Sequence, residues 1–490
     1  MGDANTSINL TELRHALRRT GFGPTPKEMK KAERRVDSMT RGGVADYVIG
    51  QKRKILKAKG KENFDVHNKW VKHLTKGRTP FLDKTVLFWH DHFSVAASVV
   101  EHPDVMTLHL QNHYTRALGS FKDYVKAINK DAAMMIFLNT IQNRKEIPNE
   151  NYPRELCELF TLGVFDLNGI DNYTQSDIVQ IARAFTGWRL EEHTGAYLDE
   201  GRHDFETEFP ERGPKAIFDN AHGFGPGGAS FTTSGEGENE IDVVIDIIFD
   251  HLDSDGENTV ARRTAFRLLE FFAYANPEKS VVDEVVADSG FAGSWNIEEL
   301  IRSILCHDAF YEASASAPFA ASTKKSVKWP IDYVVSTLRL TRTKPKGKDL
   351  EIRGGRFLTL FDHLENMGQV IGDPPSVFGW DWESGWISSS TLLARYAFAR
   401  DIVAARDNGR FKPEKLIEKD LTDPGAIADA VTDVLGVTDQ FTAAERDELI
   451  VYLTDNGAVT ELDLDDFDVR NTKLHGLFAL VMQSPQYQLH

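Results

Sequence analysis

Leu82-Asp-Lys-Thr-Val-Leu-Phe-Trp-His-Asp-His-Phe93 sets Leu82, Val86, Trp89 and Phe93 at intervals of three and four, the period of one apolar stripe on a helix. A second stripe runs through Leu110, Tyr114, Ala117, Leu118 and Phe121. Further on, Thr174 and Asp177 stand at capping-box spacing, opening a helix through Ala182 and Phe185 that Gly187 can close. Residues 1–190 are therefore predicted to be a mainly helical region. Between 191 and 240 the period is lost among Gly, Pro and acidic residues, including Gly223-Phe-Gly-Pro-Gly-Gly228, which predicts an irregular excursion or small hairpin. Helical patterning returns over 241–490, with stretches at Ile241–Asp250, Thr259–Tyr274, Ile297–Phe310, Pro330–Leu340, Ser389–Arg406, Ala426–Asn456 and Lys473–Met482. Arg342–Lys348 reads as a connection. The expected fold is mostly α: one large multi-helix body with an excursion around 191–240, no repeat of fixed period, and the C-terminal helices packed on the first region.

The chain's 490 residues, 41% hydrophobic and 27% charged, suit a folded globular protein rather than a disordered or membrane-embedded one. Lys plus Arg at 57 against Asp plus Glu at 74 gives −17, a field that repels phosphate backbones, so nucleic acid is not an expected partner. No apolar run reaches the length of a membrane span. Two cysteines, Cys157 and Cys306, cannot build a disulfide framework or a cysteine metal site. Met1–Leu10 carries no signal-peptide pattern, so the sequence as given reads as cytoplasmic, with a periplasmic or exported location the alternative if a signal was trimmed. Met1-Gly2 with Thr6 fits a myristoylation pattern that is common by chance. P-loop, dinucleotide and nucleophile-elbow motifs are absent, and the acidic runs Asp253–Gly256 and Asp463–Asp468 lack EF-hand spacing.

Several segments together resemble one bacterial family: His15-Ala-Leu-Arg-Arg-Thr-Gly-Phe-Gly23, Phe88-Trp-His-Asp-His-Phe93, Ala117-Leu-Gly119, Pro148-Asn-Glu-Asn-Tyr-Pro-Arg-Glu-Leu-Cys-Glu-Leu-Phe-Thr-Leu-Gly163, Tyr173–Asp177, Ala184–Trp188, Pro374–Trp380, Trp386-Ile387 and Ser484–Gln488. The family is the one called domain of unknown function 1800, and the likeness covers essentially the whole chain. It implies a predominantly helical fold, export signals in many members, and a sulfatase-like neighbouring protein as a candidate partner. It implies no reaction. Around His222 the family pattern of His-Asp, Gly and Lys is replaced by His222–Gly228, so no lysine role carries over.

His109 and His113, four apart, project from one helix face and could hold one metal ion. Glu155 and Glu158, three apart in the longest block, share a face in the same way. Facing helices that offer His and Glu pairs are how helical bundles build metal sites, so these four are the expected ligands of a divalent ion, iron, manganese or zinc. The bland readings are a histidine pair beside an apolar stripe, and a Glu155 that answers its helix dipole while Arg154 pairs with Glu158. His90 and His92 point about 200° apart, so at most one joins the site. His92 and Glu150 are the expected proton carriers. Arg154, Trp380, Trp382 and Trp386 are the expected ligand-contacting side chains, the tryptophans forming a loop over 374–386 that could instead plug the core. Two functions follow: a metal-dependent hydrolase or oxidoreductase, or a non-catalytic assembly protein that meets a sulfatase-like partner through the tryptophan loop.

Overall fold

Every residue from Phe81 to His92 is buried, so the helix Pro80–His92 runs through the interior with no solvent face. Its charged side chains are tolerated there because each is answered: Lys84 pairs with Asp332, and Asp83 accepts from Tyr114 (2.8 Å). Around it pack Asn63–Lys76 and Pro103–Arg116, with Phe121–Asn129 and Ala132–Phe137 beyond. Buried apolar side chains from Ile8 to Tyr487 join in one contiguous core. The structure, a computed structural model, describes residues 3–490 except 52, 54, 57–60, 193–194, 206–212, 220–221, 225–227, 232–236, 313–323, 355 and 409. Met1-Gly2 and the Gly225–Gly227 part of the glycine run lie outside the described residues.

The fold is mostly α, as the sequence predicts. In the excursion, Trp188–Glu191 pairs antiparallel with Gly195–Leu198, and Lys215–Ile217 with Ala229–Phe231. A third hairpin, Glu351–Gly354 with Arg356–Thr359, follows the stretch read as a simple connection and had no sequence signal. Boundaries shift where caps intervene. The second stripe is split in two, because Ser120 accepts from the Asp123 amide and starts a new helix at Phe121. Ala426–Asn456 likewise becomes Pro424–Val434 and Ala443–Leu453, with Thr442 and Glu445 forming a capping box. The predicted capping box of Thr174 and Asp177 is formed. Among the described residues no helix is long and apolar enough to cross a membrane.

Candidate metal centre

Pro103 opens its helix at a position where a missing N–H costs nothing, and one turn apart on that helix His109 and His113 face the same way. The Pro80–His92 helix packs against it and brings His90 to the pair. One ligating nitrogen from each of His90, His109 and His113 lies within 4.8 Å of the others, and all three rings are buried. The Nε2 atoms of His109 and His113 are 2.9 Å apart.

The outer nitrogens are committed. His109 Nδ1 lies 2.8 Å from Asp131 Oδ1. Burial pushes the Asp131 carboxyl up, but His109, the Met134 amide and Asn112 outweigh it and hold the group below its ordinary value. Asp131 is therefore a carboxylate, and His109 Nδ1 donates its proton to it. His113 Nδ1 meets the Tyr124 hydroxyl. With Tyr124 donating to it, His113 carries its proton on Nε2 and bonds His109 Nε2; with His113 donating to Tyr124 instead, its Nε2 lone pair is freed toward the same gap, the tautomer a bound cation requires. Burial, then the other histidines, holds His113 well below the ordinary histidine value, and His90 is pushed down to about 3 by burial and His109. His90 and His113 are therefore neutral imidazoles at physiological pH, the form that binds metals.

His90 Nε2 accepts from the Gly372 amide (3.0 Å), while its buried Nδ1 has no hydrogen-bond partner among the described residues. A ring nitrogen has one in-plane lone pair, and a neutral ring binding through Nδ1 must carry its proton on Nε2. Ligation through either atom thus breaks the bond to Gly372. His90 and His109 also line a cavity of about 250 Å³ walled mainly by Phe64, Trp70, Met106, Leu110, Phe361 and Ile371. His67 is in that wall, with Nδ1 on the Ile371 carbonyl (2.8 Å) and burial pushing it down to about 4.

Of the sequence-predicted ligands, the structure brings together His109 and His113. Glu155 and Glu158 are outside the three-residue group. They stand on Asn151–Glu155 and the π-helical turn Leu156–Thr161. Burial, then Glu158, pushes Glu155 up to about 7, and Tyr173 donates weakly to Glu158 (3.4 Å). Glu150 and Arg154 pair with each other (3.0 Å) and both meet Gln175. His92 turns away from His90 to lie against Phe88, its Nε2 3.1 Å from the Phe160 carbonyl. Trp380 and Trp386 are buried. Half-buried Trp382 donates to Asp91 Oδ2 (2.9 Å), under the Arg267 guanidinium. Asp131, Tyr124 and Gly372 were not found by sequence reasoning. They meet the histidines only through tertiary packing, and no fixed spacing marks them.

A buried three-imidazole centre on two helices of a large α-helical body is the class that fold and site define. The chain belongs to the DUF1800 family, described as a protein of unknown function, whose family model matches residues 15–489. No curated protein and no solved structure matches it.

Proposed function

We propose that this protein is a metal-dependent hydrolase whose ion is held by His90, His109 and His113. The observation that carries the reading is the convergence of three buried imidazole nitrogens within 4.8 Å, with Asp131 behind His109. An aspartate on the far nitrogen is the usual outer support of a ligating histidine, fixing its tautomer and raising its basicity. Three neutral ligands without a carboxylate or thiolate favour zinc over manganese, leave the ion's charge undiminished, and leave a fourth position open. When bound, such an ion supplies Lewis acidity and acidifies a coordinated water. The chain's own residues orient the ligands and present an apolar cavity at the His90 and His109 edge, which suits a neutral, largely apolar substrate.

Elemental analysis of untagged protein tests this, beside a variant with His109 and His113 replaced and checked for folding by circular dichroism. Stoichiometric divalent metal in the wild type, lost in the folded variant, is the expected result. A wild type that is metal-free and takes up none on reconstitution overturns it. The alternative of assembly with a sulfatase-like partner through the tryptophan loop gains no support from tryptophans that face inward.

A further inference from the structure

Lys328 is only 4% exposed. Among the described residues its amine forms no ion pair and no hydrogen bond, and it lies over the face of Tyr487, 3.9 Å from the ring centroid. A buried cation without an anionic partner is expensive, and the group responds by giving up its proton. Burial, followed by Arg18, pushes this amine down to about 7. By contrast the equally buried Lys84 is paired with Asp332.

The amine faces a small cavity of about 60 Å³, lined also by Phe22, Leu340, Leu435, Asp332 and His490. Asp332 Oδ2 is taken by Lys84 and, at 3.5 Å, by His490, while its buried Oδ1 has no hydrogen-bond partner among the described residues. Phe22, Gly21 and Gly23 bring the His15–Gly23 segment, which the metal centre leaves unused, into the cavity wall.

We infer that Lys328 is a covalent carbonyl-binding site, condensing with a small neutral aldehyde or ketone to form an imine. The nitrogen lone pair attacks the carbonyl carbon. The C–N bond forms as the carbonyl π bond breaks, and both amine protons leave with the oxygen as one water, so the step is redox-neutral. Phe22, Leu340 and Leu435 give the carbonyl's small apolar substituent a surface to pack on, in a wall that also carries Arg14, Arg18 and Asp433.

Reductive trapping tests this on the full chain: propionaldehyde with cyanoborohydride at pH 7, then peptide mapping. An ordinary surface lysine, near 10.4, is almost wholly protonated at that pH, so Lys328 should be labelled at least about tenfold faster than the other lysines. Urea-unfolded protein should lose this preference, and Lys328→Met should lose the fast adduct. Labelling spread over surface lysines with Lys328 unmodified in the folded wild type overturns the inference, whether or not the variant folds.

Discussion

The Nε2 atoms of His109 and His113 face each other across 2.9 Å while Asp131 holds His109 from behind at 2.8 Å. Asp131 also caps the helix Ala132–Phe137 through the amides of Ala133 and Met134. Asparagine caps a helix as well as aspartate does, so Asp131→Asn separates the two roles. Metal affinity, read by competition with a chelator, should fall about 10- to 100-fold with little change in thermal stability. Unchanged affinity would remove Asp131 from the site.

Ligation by His90 requires release of the Gly372 amide. That amide is bonded to His90 Nε2. Adding zinc should therefore move the Gly372 amide resonance and speed its hydrogen exchange. An amide that does not respond to a bound metal would show that the ion sits on His109 and His113 alone.

Asp91 anchors the tryptophan loop: Oδ1 accepts from the Trp380 amide and Oδ2 from the Trp382 indole, both at 2.9 Å. Gly379, at φ +80°, packs its backbone on the same carboxylate, where a side chain would collide with it. Asp91→Ala strands two donors at about 1–3 kcal/mol each, so a total loss of about 2–6 kcal/mol is expected in urea unfolding. A loss under about 1 kcal/mol would mean the loop is not anchored there.

Acid should destabilise the fold through its buried histidines. Burial pushes His67 to about 4, and His90 and His92 to about 3. Below about 6.5 the unfolded chain protonates these rings and the folded chain does not. Each therefore withdraws stability as pH falls from about 6.5 to its folded value, by up to about 1.4 kcal/mol per pH unit. Urea unfolding at pH 7, 6 and 5 should give a steeply falling stability. A flat profile would mean that these rings protonate in the folded state.

Glu155 has the opposite sign. Its folded value, about 7, lies above the ordinary carboxyl value, so its cost is absent at low pH and grows as pH rises from about 4.5 to 7. Glu155→Gln should stabilise the protein more at pH 8 than at pH 5 while leaving metal content unchanged. Loss of metal in this variant would return Glu155 to the ligand set.

The sequence by itself determined the helical body, because stripes such as Leu82, Val86, Trp89 and Phe93 are local and periodic. It also determined that His109 and His113 share a face, since a four-residue interval on a helix is a statement about direction. It predicted the Thr174–Asp177 cap for the same local reason. The hairpin at 351–359, which offers no alternation long enough to read, was invisible to it. Only the tertiary structure decided between His90 and His92. Helix geometry says that one of the two can join the pair, and the packing of Pro80–His92 on Pro103–Arg116 selects His90. The same packing leaves Glu155 and Glu158 outside the group, although their spacing is as suitable as that of the histidines. Spacing fixes where a side chain points from its own helix. What it meets is set by the burial of apolar faces on other helices, which no local pattern records.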